Sequence, residues 1–164
     1  MLSKLPVSRM RGTGSPFFPY PVRVMLSFIR SASEAPAAPG AYVLLVELAS
    51  PLEVAAGRSK ATLASGRYLY CGSARGPGGM RARLARHMRR GKRRRWHIDQ
   101  LTEAGESLGA WITLEKGECD LVAALGSLPV PLDGFGSSDC PRCRSHLLFW
   151  PAGEAPAFLA AQKC

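Results

Sequence analysis

The sequence predicts an α+β fold, a small antiparallel sheet flanked by helices. Two observations carry that prediction: β-prone runs gather between residues 41 and 72, and helix-periodic segments follow from about residue 79. The first run, "AYVLLVELA" behind the turn-forming "APAAPG", is continuously apolar and reads as a buried strand. The next stretch, "LEVAAGRSKATLASGRYLYCGS", is punctuated by Gly57 and Gly66 and reads as two or three short strands returning to the same sheet. A helix is expected from about Gly79 to Arg90, where Met80, Leu84 and Met88 fall on one face and Arg83 and His87 border it. Beyond a basic loop, "WHIDQLTEAG" reads as a second short helix, "LGAWITLE" as a strand, and "ECDLVAALG" as a third helix with Glu118 in its first turn.

The length of 164 residues suits one domain, and no apolar run approaches the roughly 20 residues of a membrane helix. Residues 39–152 are expected to form the domain, residues 1–38 a tail or an over-extended start with Met25 as the first residue, and residues 153–164 a tail or short helix. The early residues carry five Lys or Arg and no acid before Glu34, yet "PFFPYP" would break a transit helix and no clean apolar segment marks a secretory signal. Five cysteines without such a signal point to a reducing cytoplasm.

The formal charge of +10 is unevenly spread. No acid occurs between Glu53 and Asp99, whereas the interval holds Arg75, Arg86, Arg90, Arg93, Arg94 and Arg95 among thirteen basic residues. Such a one-signed block attracts polyanions by counterion release, which makes nucleic acid the expected partner and excludes no plainer role as a solvated helix face. The stretch "GSARGPGGMRARLARH" is glycine-rich but lacks the Gly-Lys-Ser/Thr ending of a nucleotide-binding P-loop.

"GAYVLL" at 40–45 followed by "YLYCG" at 68–72 resembles the paired signature of the GIY-YIG nuclease superfamily, and "GSARGPGGMRARLARH" is similar to its strand-loop-helix segment. More narrowly, these motifs with "WHID", "EC", "FGSSDC" and "SHL" resemble a little-characterised prokaryotic GIY-YIG-like domain family of unknown function, over about residues 39–150. The resemblance implies signature tyrosines at Tyr42 and Tyr70, a close backbone approach at Gly72, a phosphate-binding arginine at Arg83, a catalytic partner at His87 and a metal-binding glutamate at Glu118. It implies hydrolysis of DNA phosphodiesters with Mg2+ or Mn2+ as cofactor. The chain departs from the pattern at Ala41 and Cys71, carries the longer insert "RGPGG", and offers only Asp139 or Ser138 in place of a late asparagine.

Cys140, Cys143 and His146 stand at C-x2-C-x2-H spacing, three of the four ligands that Zn2+ takes. Cys119 and His97 are candidates for the fourth; the alternatives are a turn with cysteines packed as small apolar residues or a reversible disulfide. Cys71 and Cys119 are expected in the core, His97 and Asp139 in either the site or the scaffold, and Trp96, Trp111 and Trp150 in packing roles. Three functions therefore stand open: a metal-dependent endonuclease, a nucleic-acid-binding module that does not cut, and a zinc-stabilised interaction protein.

Overall fold

The computed structural model describes residues 26–153 and 155–160. The question of Met25 as a first residue lies outside them. Among the described residues the strands are β1 (Ser27–Ile29), β2 (Gly40–Leu48), β3 (Leu52–Ala56), β4 (Ser59–Leu63), β5 (Gly66–Ala74), β6 (Glu106–Thr113) and β7 (Leu147–Trp150). The α-helices are α1 (Gly79–Met88), α2 (Asp99–Ala104), α3 (Glu118–Ala124) and α4 (Ala157–Ala160). The fold is α+β.

Five strands form one antiparallel sheet in the order β1-β6-β2-β5-β7. β2 lies at its centre with both faces covered, which explains why its sequence is apolar without alternation. Tyr42, Leu44 and Val46 point with Tyr68 and Tyr70 to one core, where α1 contributes Met80 and Leu84 and α2 contributes Leu101. Ala41, Val43 and Leu45 point with Leu69 and Cys71 to the other, closed by Leu121 of α3 and Leu159 of α4.

Three features depart from the sequence expectation. β3 and β4 do not rejoin the main sheet; they pair as a separate hairpin, because β5 and β6 already occupy both edges of β2. The hairpin instead buries Val54, Ala56 and Leu63 against the first core. Gln100 of α2 completes its edge, accepting from Ala55 N–H at 2.9 Å and donating to the Ala55 carbonyl at 2.9 Å. β1 lies inside the stretch expected as a tail, where its three residues pair with β6 from Ser27↔Ile112 to Ile29↔Ala110. β7, in "SHLLFW", was not foreseen as a strand; it extends the sheet beyond β5. Both are too short for a periodicity to show, and take their register from a longer neighbour.

The end of α1 is fixed by a residue of the basic block. Lys92 is buried, and its Nζ donates to the carbonyls of His87 at 3.1 Å and Arg89 at 2.8 Å and to Glu103 Oε1 at 2.9 Å. A cation there satisfies carbonyls that the helix itself leaves open and complements the negative end of the helix dipole.

Candidate active site

Tyr42 and Tyr70 stand on neighbouring strands, β2 and β5. Tyr42 pairs with Gly72 and Leu44 with Tyr70, so Tyr42 and Tyr70 are diagonal neighbours on one face. Gly72 is required opposite Tyr42, since a Cβ there would overlap the phenol ring. Gly136 does the same for Tyr70: its φ of +73° is a conformation that favours glycine, and a Cβ would sit 2.6 Å from the Tyr70 ring. Burial raises the Tyr42 phenol well above its ordinary range and pushes Tyr70 up to about 12, with Arg83 opposing the shift on both. Glu118 pushes both upward, so the charges of Arg83 and Glu118 reach the same pair of phenols.

α1 brings Arg83 and His87 to this face, as its periodicity predicts. His87 is 1% exposed, and its Nε2 lies 2.7 Å from the Tyr42 hydroxyl. Burial lowers the imidazole to about 3, so it is neutral at pH 7 and one of this pair donates to the other as a neutral group. Arg83 lies half-buried with its guanidinium 4.2 Å from the centre of the Trp96 ring.

Trp96 is the first residue that sequence reasoning placed differently. It is 38% exposed, lines the cleft, and receives a second guanidinium, that of Arg86, at 4.0 Å. Its position is set by Asp99, a fully buried carboxylate that sequence reasoning did not single out. Asp99 accepts from Arg86 through both oxygens at 2.8 Å, and its Oδ2 also accepts from the backbone N–H groups of Arg95 at 2.8 Å and Trp96 at 3.0 Å. Burial alone would raise this carboxyl, but those donors outweigh it and hold it well below the usual carboxylate range. The only available signal was that Asp99 is the first acid to follow the basic block.

The basic block is thereby divided. Arg86 is committed to Asp99, and Arg90 donates to the carbonyls of Glu103 at 3.1 Å and Gly105 at 2.7 Å. Arg93, Arg94 and Arg95 remain exposed, and Arg94 and Arg95 line the cleft. Arg75 is exposed and lies 3.7 Å from Glu118 Oε2, an ion pair too long to be a hydrogen bond.

Glu118 opens α3, and Cys119 follows it. Cys119 does not pack in the core as expected: its Sγ lies 3.4 Å from that of Cys140. The ligand atoms of Cys119, Cys140, Cys143 and His146 all lie within 4.8 Å of one another, a group that can hold a metal ion. His97 is not part of it; its Nδ1 accepts from Gly136 N–H at 3.0 Å. Cys71 is fully buried in the second core, as expected.

Tyr42, Tyr70, Arg83, His87 and Glu118 line one cleft of about 790 Å³. His97, Asp139, Cys140 and His146 also line it, with Asp139 exposed at its mouth. Among the described residues, the buried side-chain nitrogen and oxygen atoms without a hydrogen-bond partner are His87 Nδ1, Glu118 Oε2 and His146 Nε2. All three residues line this cleft. An unmade bond at a buried polar atom costs about 1–3 kcal/mol, so their convergence marks a place for water, an ion or a ligand.

These features define an α+β domain with a basic, polar cleft at one end of its central strands and a cysteine-histidine group at the cleft's edge. Residues 41–163 match the family described as Domain of unknown function DUF123, and the chain belongs to that family. No curated protein and no solved structure matches it. No helix among the described residues is long and apolar enough to cross a membrane.

Proposed function

We propose that the cleft is the active centre of a divalent-metal-dependent endonuclease that hydrolyses phosphodiester bonds in DNA. The observation that carries the reading is the convergence of Tyr42, Tyr70, Arg83, His87 and Glu118 on one cleft whose uncommitted buried atoms include Glu118 Oε2 and His87 Nδ1. The motif resemblance and the exposed Arg94 and Arg95 on the cleft support the same reading.

Glu118 fits a hard cation. Mg2+ and Mn2+ often take one or two protein carboxylates, and Glu118 offers an oxygen whose ion pair among the described residues is with the exposed Arg75 at 3.7 Å. Such an ion, when bound, supplies positive charge to the phosphoryl oxygens and makes water easier to deprotonate. Arg83, steadied by Trp96, is placed to bind the phosphate as charge grows on its oxygens. Tyr42 and His87 form a short proton path: with both neutral, the phenol can take a proton at oxygen while passing its own to Nε2. Burial opposes a lasting charge on either, so a proton passed to Nε2 is held only transiently and returns through the phenol to the cleft. Arg94 and Arg95 hold the polymer by its backbone, and their contribution is salt-sensitive.

The test is incubation of branched, single-stranded and duplex DNA with the full chain in Mg2+ or Mn2+, beside Arg83→Ala and Glu118→Ala. Cleavage by the wild type and its loss in both variants is expected; undiminished cutting by Glu118→Ala would remove that residue from the site. The raised phenols favour one second reading, a module of the same fold that binds nucleic acid without cutting it. Salt-sensitive binding without cleavage in either metal is its signature.

A further inference from the structure

We infer that Cys119, Cys140, Cys143 and His146 hold a structural zinc ion that clamps the start of α3 to the loop preceding β7. The claim does not depend on whether the cleft cuts DNA.

The donor set is the first argument. Three thiols and one imidazole make a complete tetrahedral shell, and a shell filled by protein ligands is the mark of a structural site, since a catalytic zinc keeps one position open. The second argument is size. With Zn–S bonds of about 2.3 Å, tetrahedral geometry places two sulfurs about 3.8 Å apart. Cys119 Sγ and Cys140 Sγ lie 3.4 Å apart, and all four ligand atoms fall within 4.8 Å of each other, so side-chain shifts of up to about 1 Å close the shell. The same separation is far longer than the roughly 2.05 Å of a disulfide.

His146 supplies the third argument. It is 5% exposed, with its backbone locked between Phe135, whose carbonyl accepts from His146 N–H at 2.9 Å, and Cys71, whose N–H donates to the His146 carbonyl at 2.9 Å. The backbone is thus fixed at a buried position, and Nε2 has no hydrogen bond. The fourth argument is the chain between the ligands. Residues 125–146 connect α3 to β7 without helix or strand. A connection of that length in a compact domain is uncommon without something to order it, and a metal clip across a long loop removes much of the entropy of the open chain. Cys140 and Cys143 sit inside this connection, His146 at its end, and Cys119 is the second residue of α3, the helix that leads into it.

The full chain, purified under reducing conditions without a metal-affinity resin, is assayed for metals by mass spectrometry. One zinc per chain is expected in the wild type and in Cys71→Ala, whose thiol lies in the second core, with near-complete loss in Cys119→Ser and His146→Ala. Because those variants can fail to fold, the wild type is also stripped with a chelator and titrated with Co2+. An intense visible spectrum of tetrahedral cobalt-thiolate, saturating at one equivalent and displaced by Zn2+, is expected, with a lower melting temperature for the stripped chain. The inference is overturned by a wild type that carries no zinc and gives no such spectrum, by iron in place of zinc, by Cys119→Ser that keeps full occupancy, or by a mapped Cys119–Cys140 disulfide in the reduced preparation.

Discussion

On one side of the cleft, Asp99 accepts four hydrogen bonds, Arg86 and Arg90 reach backbone or carboxylate partners, and Lys92 closes the end of α1. On the other, Glu118 and His146 carry buried atoms with no hydrogen bond, beside the thiols of Cys119, Cys140 and Cys143. Both regions are polar; the first reaches the cleft through Arg94, Arg95 and Trp96, the second through Glu118, Cys140 and His146. The first is completed from within the chain, and its charges serve the fold. The second leaves donor atoms uncommitted, in a group that can hold a metal ion. A dense run of arginines is therefore a poorer guide to function than a few unsatisfied atoms, because much of the run is spent on structure.

The comparison breaks most visibly at Asp99. Replacing it with Asn removes a charge from the buried pair with Arg86 and should cost about 3 kcal/mol, read as a lower midpoint in denaturant unfolding. A change below 0.5 kcal/mol would mean that the basic loop is not anchored as described.

Gly72→Ala tests the packing beneath the second region. The added methyl overlaps the Tyr42 ring, and the shift needed to relieve it should destabilise the chain by about 1–3 kcal/mol while displacing the Tyr42 hydroxyl from His87. Unchanged stability with an unchanged tyrosine environment in NMR spectra would contradict the register.

Acid should weaken the chain through two buried groups, His87 and Asp99, over different ranges of pH. His87 titrates near 3 when folded and near 6.5 when free, so between those values the unfolded chain binds the extra proton and stability falls as pH falls. Asp99, held well below the usual carboxylate range, adds a loss as pH drops further toward its folded value. The His87 contribution approaches about 1.4 kcal/mol per pH unit across its window. Urea unfolding from pH 7 to pH 4 should show this slope in the wild type and a flatter one in His87→Asn; parallel slopes would show that His87 is not buried neutral.

Much of this arrangement was legible in the sequence where one element contained the whole signal. The central strand announced itself by a long apolar run, and the helix period of α1 placed Arg83 and His87 at the edge of its buried face. What spacing within an element cannot convey is meeting across loops. Cys119 reads as a core cysteine until α3 is docked beside the loop that carries Cys140, and Trp96 reads as packing until Asp99 folds the basic loop beneath it. The hairpin β3–β4 failed for a related reason: its strands were recognisable, but which edge they would find depended on β6, far along the chain.

The smallest expected effect concerns the arginines left free by the fold. Arg94→Ala and Arg95→Ala should each weaken DNA binding alike across sequences and flatten the dependence of log K on log salt by about 1. Arg90→Ala, whose guanidinium is held by the Glu103 and Gly105 carbonyls, should leave that slope nearly unchanged and lower stability instead. Equal salt slopes for Arg90 and Arg94 variants would erase the distinction between structural and available charge.

The most direct measurement is single-turnover cleavage of labelled DNA by wild type and Glu118→Gln in Mg2+, with DNA binding followed in parallel. Glu118→Gln keeps the shape of the side chain and removes the charge a cation needs. The account predicts metal-dependent cutting by the wild type, a loss on the order of 100- to 1,000-fold in the variant, and DNA affinity within a few fold of the wild type. Equal rates, or a loss of cutting matched by an equal loss of binding, would contradict it.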